Sequence, residues 1–369
     1  MLEHRQATWL ELFFDLVFVA VIGILTHKMA HLHHGHLDFK TLAEIPLLFA
    51  PIWWIWSSYS LYMNRFESDD RKHRLVFLVV MGLVISLSTT LTAWDQKGFM
   101  YFVILYGTTR FILGLLYASN PQGKRYNRSL SRSIFAGAFI SFMAFFFPNP
   151  LSYGVFLCGM ILDVCMHIRL SGSEHAKRIH RKHLAERVGL LTIILLGESI
   201  ISIVSSFGDM AWTLPTLFAG GLGFLILCLI WWIFFDSFHV FDHAKKFKSE
   251  NFLIYPNFFF CLGLISLATL IRHSISGEMS ISDFQILATV GMTLFYVGKQ
   301  IPYMYLVPAM RKGIVLNSIT CISITFMSGF LPKVEYAIGT IALAMLFYVY
   351  SNMKWVLPKD WSTFQDEAC

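Results

Sequence analysis

The sequence has little charge. Only 14% of its 369 residues are Asp, Glu, Lys or Arg, whereas an average soluble protein has about 25%. Hydrophobic residues make up 56% of the chain and aromatic residues 16%, which argues against a soluble globular protein. The formal net charge of +6 does not indicate a nucleic-acid partner, because the basic residues cluster in short loops between apolar runs.

The motifs of common catalytic and metal chemistry are also absent. The sequence has no phosphate-binding loop, no Ser-His-Asp arrangement and no zinc-protease helix. None of its six cysteines forms a C-x-x-C pair. Five histidines crowd one short loop, at His27, His31, His33, His34 and His36. A polar loop is favoured over a zinc, copper or pH-sensing site there, because no cysteine joins these histidines. We therefore expect no metal and no cofactor, and a non-enzymatic protein is favoured over an enzyme.

Long apolar runs dominate the chain. A bilayer core of about 30 Å needs roughly 20 mostly apolar residues per helix. On that template we predict about twelve membrane spans, at 9–26, 42–63, 74–93, 99–118, 131–147, 150–168, 184–206, 213–239, 251–271, 284–305, 313–331 and 334–356. The first run begins with an acidic residue and has no cleavage site, so we expect it to remain as the first span. The predicted fold is an all-α polytopic membrane helical bundle.

The loops between these spans differ in their basic residues. With this threading, 22 of the 29 Lys and Arg residues fall on one side and five on the other. Basic loops face the cytoplasm. The asymmetry predicts an even number of spans with both termini cytoplasmic.

A faint internal repeat divides the chain. Trp53-Trp54-Ile55 is echoed by Trp231-Trp232-Ile233, and Glu11 is matched by Glu186, at offsets of 178 and 175 residues. The repeat favours two parallel six-helix halves, as in some secondary transporters. The alternative is that Trp pairs recur by chance in aromatic belts. The two halves would be residues 1–169 and residues 170–369, the second beginning with a basic cytoplasmic linker.

Four blocks of sequence, in order along the chain, resemble one bacterial family. They are Glu11-Leu-Phe-Phe-Asp-Leu-Val-Phe-Val19, the segment 64–75, the segment 183–199 with its His-Leu-Ala-Glu-Arg and Leu-Gly-Glu-Ser motifs, and the segment 231–236. Together they resemble the low temperature requirement protein A (LtrA) family. The resemblance implies a multi-pass protein of the bacterial cytoplasmic (inner) membrane, and it implies no particular activity or site residues.

Two carboxylates inside the first span are the leading candidates for a site. Glu11 and Asp15 are four residues apart, so they share one helical face. A charged residue within a membrane span is costly, so its presence indicates a functional role. Two neighbouring carboxylates in a medium of low dielectric constant also tend to bind a proton or a cation. For Glu11 the alternative is a helix-start role, because acidic residues complement the dipole at a helix N-terminus.

Other charged residues within spans complete the predicted substrate or ion site. Arg110 and Lys299 are intramembrane cations that we expect to pair with carboxylates. Glu186, Glu198 and Asp236 are carboxylates in the seventh and eighth spans, and Glu198 stands between a glycine and a serine at depth. Structural ion pairing is the alternative for the cations, and close helix packing explains the glycines without explaining Glu198.

The first basic turn mixes both signs of charge. Its charged residues are Arg65, Asp69, Asp70 and Arg74, among others. A solvated cap that joins two helices by salt bridges is one interpretation. A gate whose ion pairs break and form again is the other.

These patterns favour a transporter or permease for a small solute or ion, proton-coupled through its intramembrane carboxylates. Its expected partners are membrane lipid and that solute or ion. An ion channel is an alternative, and a two-fold repeat would suit a homodimer. An integral membrane enzyme acting on lipid is a further alternative, for which Asp69-Asp70 is the one acidic pair at the cytoplasmic face.

Overall fold

The structure is a computed structural model that describes residues 5–66, 70–92, 94–122, 124–171, 179–237 and 250–356. Within these ranges the chain forms twelve α-helices. They are α1 (Trp9–Met29), α2 (Phe39–Arg65), α3 (Arg71–Thr90), α4 (Gln96–Ser119), α5 (Lys124–Met143), α6 (Leu151–Ser171), α7 (Arg181–Asp209), α8 (Leu214–Asp236), α9 (Asn251–Ser276), α10 (Ile281–Leu306), α11 (Arg311–Phe326) and α12 (Val334–Ser351). The predicted all-α polytopic bundle is confirmed.

Several helices begin at side chains that satisfy their free N–H groups. Asp70 accepts the backbone N–H of His73 at the start of α3, and Asp95 accepts that of Gly98 at the start of α4. Thr213 forms a reciprocal capping box at the start of α8. Short polar side chains of this kind are the preferred N-caps, so these boundaries follow from local sequence.

Among the described helices, eleven are long and apolar enough to cross a membrane, and α2 falls outside that set. Its sequence is rich in Trp, Tyr and Ser, which lower its hydropathy. Every residue from 51 to 66 is buried. A helix enclosed by protein on all sides can carry polar groups that a lipid-facing helix cannot, provided that partners satisfy them. The lower hydropathy of α2 therefore indicates that its buried part, residues 51–66, lies in the interior of the protein.

The chain divides into two compact units. The first comprises residues 1–24, 47–187 and 248–251, and the second comprises residues 25–46, 188–247 and 252–369. In the first unit, Phe14 of α1 packs against Tyr59 of α2 and Phe77 of α3 at centroid distances of 5.8 Å. The predicted division into parallel halves at residue 169 stays a prediction, as does the cytoplasmic position of the termini.

In the second unit, α9 is the most enclosed of the candidate spans, with 83% of its apolar window buried. It lies very close to α10. A Cβ placed on Gly298 would come within 2.2 Å of the Phe260 backbone nitrogen, and one on Gly263 within 2.6 Å of the Phe295 nitrogen. Glycine at these contacts allows the two backbones to approach, as is common between membrane helices.

The histidine-rich loop forms a small hairpin in the second unit. Strands β1 (Leu32–His33) and β2 (His36–Leu37) pair antiparallel through a turn in which Gly35 has a φ of +80°. Asp283 at the start of α10 accepts hydrogen bonds from the Leu37 N–H and the His36 ring, both at 3.0 Å. Across the described residues, no group of three or more His, Cys, Asp or Glu side chains is arranged to hold a metal. The hairpin is therefore held to α10 by hydrogen bonds.

Candidate functional site: two buried ion groups on α2

Helices α1 and α7 present matching pairs of charged and polar side chains in the first unit. Glu11 accepts from His183 Nε2 at 3.2 Å, and Asp15 accepts from Arg187 Nη2 at 2.5 Å. Both contacts join residues 172 positions apart, so the two helices run in the same direction where they meet. All four side chains are at most 1% exposed. We call these four residues the α1–α7 ion group.

One guanidinium in this group serves two carboxylates. Besides its 2.5 Å contact with Asp15, Arg187 places Nη1 3.4 Å from Glu11 Oε1. Arg187 Nη2 also donates to Ser60 Oγ at 3.2 Å. Because the guanidinium has five donors in a fixed fork, it can bridge both acids at once. The contact of Arg187 with Asp15 is shorter than its contact with Glu11, so Asp15 is the main partner of Arg187.

The two oxygens of Asp15 differ. Oδ1 accepts from Arg187 and from the indole N–H of Trp56, which lies 2.7 Å away. Oδ2 is buried and has no hydrogen-bond partner among the described residues. A buried carboxylate oxygen without a donor is costly. This oxygen is therefore a chemically reasonable place for a proton.

Glu11 combines two roles. Its carboxylate accepts the Thr8 N–H at 2.8 Å, while the Glu11 N–H donates to Thr8 Oγ1 at 3.3 Å, which is a capping box at the start of α1. It also accepts from Arg5 Nη2 at 3.3 Å. Glu11 thus has both the helix-start role considered from the sequence and a role in an ion pair.

The hydrogen-bond network defines the tautomer of His183. Asn64 accepts the His180 N–H through Oδ1 and donates to the His180 carbonyl through Nδ2, both at 2.9 Å, which fixes its amide. The same Nδ2 lies 2.9 Å from His183 Nδ1, which must therefore accept. The proton of a neutral His183 is then on Nε2, directed at Glu11.

A second group of the same design lies in the first unit. Asp163 of α6 accepts through Oδ2 from the Trp54 indole at 3.0 Å and from Arg110 of α4. Arg110 also donates to Ser58. Asp163 Oδ1 is buried without a hydrogen-bond partner in the described part of the chain. We call Arg110 and Asp163 the α4–α6 ion group. Arg110 therefore pairs with an intramembrane carboxylate, but that carboxylate is Asp163, while Asp15 pairs with Arg187.

Helix α2 supplies uncharged hydrogen-bonding side chains to both ion groups. Trp56 and Ser60 contact the α1–α7 ion group, and Trp54 and Ser58 contact the α4–α6 ion group. Each pair has the spacing of four that places side chains on one face, and positions two apart are about 200° apart around a helix. The same Trp-x-x-x-Ser pattern therefore serves two Asp–Arg pairs on opposite faces of α2.

The groups differ in one respect. Arg187 has a second carboxylate, Glu11, within 3.4 Å. Arg110 has Asp163 as its one ion-pair partner in the described ranges. Loss of charge on Asp15 would thus leave Arg187 compensated, while loss of charge on Asp163 would leave Arg110 as an isolated buried cation. Isolated buried charges are strongly unfavourable.

The predicted gate residues have separate environments. Arg65 is 1% exposed and donates to Glu250 and Tyr126 inside the first unit. Asp70 is exposed and caps α3, and Arg74 is exposed on the same helix. Asp69 lies outside the described residues. Whether these residues act as a gate stays a prediction.

The remaining predicted site residues are distributed over both units. Glu186 is half-buried in the first unit, and Glu198 is half-buried in the second. Neither has an ion pair or hydrogen bond within the described segments. In the second unit, Lys299 is 5% exposed and Asp236 is exposed. Both line one pocket of about 60 Å³, formed at the ends of α8, α10 and α12.

Sequence reasoning did not include His183, Arg187 or Asp163 among the predicted site residues. The sequence does contain a pattern that points to His183 and Arg187, because they are four residues apart, as Glu11 and Asp15 are. The segment containing them also belongs to the family resemblance. Asp163 carries no such motif, and its pairing with Arg110 depends on which spans are neighbours.

The fold and these ion groups define a polytopic membrane protein with paired charges buried inside its helices. The family model described as "Bacterial low temperature requirement A protein (LtrA)" matches residues 6–350. The chain belongs to this family, and the match extends well beyond the blocks at 9–236 that carried the resemblance.

A Rhizobium meliloti (strain 1021) protein described as "Uncharacterized protein RA0937" is 26% identical in an alignment over 263 residues that covers 64% of this chain. The match spans 59% of the length of that relative.

Proposed function

We propose that this protein is a transporter for a small solute or ion, coupled to protons through Asp15. The observation that carries the proposal is the sharing of Arg187 between two buried carboxylates. A proton site inside a membrane protein must change charge without leaving its counter-ion isolated. The α1–α7 ion group meets this condition because Glu11 remains beside Arg187 when Asp15 is neutral.

The proposed cycle begins with Asp15 charged and bound to Arg187. A proton that arrives at Oδ2 neutralises the carboxylate and removes the attraction on which the 2.5 Å contact depends. Arg187 then shifts its charge toward Glu11. Because Glu11 and Asp15 are both on α1, one helical turn apart, this exchange displaces the contact of Arg187 along α1. Proton binding is thereby coupled to a helix movement that opens a path for the solute.

We also propose that the protein lies in the bacterial cytoplasmic membrane with both termini in the cytoplasm. Twelve described helices, an even number, are consistent with termini on one side. The concentration of Lys and Arg in alternate loops supports the cytoplasm as that side.

The test uses purified protein in liposomes loaded with a pH-sensitive dye. A panel of amino acids, organic acids, nucleosides and inorganic ions is added outside, one at a time, and internal pH is followed. We expect at least one compound to move protons with the wild type and not with Asp15→Asn. If no compound moves protons, or if Asp15→Asn responds like the wild type, the proposal is wrong. A pH-independent conductance in planar bilayers would instead assign a channel.

A further inference from the structure

We propose that the pocket around Lys299 binds an amphiphile with an anionic headgroup. The headgroup contacts the Lys299 ammonium, and the hydrocarbon lies along the apolar wall formed by α10, α11 and α12. This site belongs to the second unit and is independent of the proposed proton site.

The first argument is charge. Four Arg and Lys side chains are buried in the described part of the chain: Arg65, Arg110, Arg187 and Lys299. The three arginines each contact a carboxylate, at Glu250, Asp163 and Asp15 respectively. Lys299 has no carboxylate within 4 Å in the described ranges. A buried charge that lacks a counter-ion is unfavourable, so an anion bound beside it would be strongly stabilised.

The contacts of Lys299 show how much of its charge is already satisfied. Its Nζ donates to the Ile233 carbonyl at 3.2 Å and to Ser237 Oγ at 3.0 Å, both at the C-terminal end of α8. A helix C-terminus carries about half a negative charge, so it offsets the ammonium in part. An ammonium has three donors. The third remains available to a ligand in the pocket.

Other polar groups surround the same ammonium. The Tyr303 ring lies 4.7 Å from Nζ, and the Tyr303 hydroxyl donates to Ser237 Oγ at 2.7 Å. Lys299 and Tyr303 also line a second, smaller pocket of about 30 Å³. Asn257 lines this smaller pocket too, and its buried Nδ2 has no hydrogen-bond partner in the described chain. A donor without a partner in a pocket that Lys299 also lines favours an anionic ligand.

Much of the remaining wall of the larger pocket is apolar. Its apolar residues include Val307, Met310, Ile314, Val349 and Met353. Met353 is 60% exposed, so this apolar wall reaches the protein surface. A free inorganic anion would leave this wall unused. An acyl chain would cover it, which favours an amphiphile that enters from the bilayer.

Basic residues next to the pocket lining in the sequence support the same ligand. Arg311 and Lys312 follow Met310, Lys354 follows Met353, and all three basic side chains are exposed. Basic residues near a membrane surface attract anionic headgroups. Asp236 is the opposing charge on the lining. It is exposed, so solvent screens its repulsion more than that of a buried group.

The experiment uses full-length protein in phosphatidylcholine nanodiscs with three photoactivatable probes of equal chain length. These are a fatty acid, a phosphatidylglycerol and a neutral fatty alcohol. We expect both anionic probes to cross-link to peptides from the ends of α8, α10 and α12, with the alcohol labelling them weakly. The ratio between the two anionic probes distinguishes a free fatty acid from a phospholipid as the ligand.

Three variants test the residue assignment, one of them as a control. Lys299→Met keeps the packing volume and should reduce labelling by the anionic probes about tenfold or more, because a charge-assisted hydrogen bond is lost. Lys97→Met changes an exposed lysine of the first unit and should leave labelling unchanged. Val349→Trp fills the apolar wall and should reduce labelling by every probe. The proposal is overturned if the alcohol labels as well as the acids do, if Lys299→Met labels normally, or if inorganic phosphate displaces the acids completely.

Discussion

Asp15→Asn and Asp163→Asn remove the same charge from two ion groups of the same design, yet we expect them to reduce stability unequally. Asp163→Asn leaves Arg110 buried without a carboxylate, and an uncompensated buried charge costs about 3–5 kcal/mol. Asp15→Asn leaves Arg187 beside Glu11, so the main loss is one charge-assisted hydrogen bond, about 1.5–3 kcal/mol. The expected difference in the free energy of unfolding is about 2 kcal/mol.

A double variant sharpens this comparison. Glu11→Gln combined with Asp15→Asn removes both carboxylates from Arg187. We expect the loss to exceed the sum of the two single losses by about 0.5–3 kcal/mol, which is the range of coupling between residues of one network. Unfolding is followed by denaturant titration in detergent micelles, with all variants at one pH and one lipid content. Equal losses for Asp15→Asn and Asp163→Asn, together with additivity in the double variant, would refute the sharing of Arg187.

Three further predictions concern packing, the hairpin and topology. Gly298→Ala should destabilise by about 1–3 kcal/mol because its Cβ meets the α9 backbone, while Gly82→Ala, which has open space around it, should be neutral in thermal unfolding. Asp283→Ala removes the acceptor of the Leu37 N–H, so hydrogen exchange in the β1–β2 hairpin should accelerate about tenfold or more; unchanged exchange would contradict the attachment of the hairpin to α10. A fluorescent protein fused after Cys369 should fluoresce and an alkaline phosphatase fused there should be inactive, whereas the opposite pattern would place the C-terminus outside.

The helices were largely predictable because each is a local feature. All twelve predicted spans correspond to helices, including those after Pro148-Asn-Pro150 and after Leu331-Pro-Lys333, where proline interrupts the helix. Helix α2 shows the limit of hydropathy. It was predicted from length and apolar content, yet its interior position is evident only from burial and from the partners of Trp54 and Trp56.

The candidate site was predictable in part. The carboxylates of α1 were conspicuous because charge inside an apolar run is costly. Their partners were not, since Arg187 stands near the start of α7 among basic loop residues and resembles them in sequence. Which cation meets which acid depends on the neighbours of each helix, and hydropathy carries no information on helix adjacency. Matching spacings of four on α1 and α7 are the local signal that could have found the pairing.

Uphill accumulation of solute tests the central claim, that Asp15 couples protons to transport, most directly. A compound identified by its proton movement is radiolabelled, and its uptake is measured in proteoliposomes with and without an inward pH gradient. We expect the wild type to accumulate the compound above its external concentration only with the gradient. Asp15→Asn should still exchange internal for external compound but should never accumulate it. Gradient-driven accumulation by Asp15→Asn at the wild-type level would contradict the account.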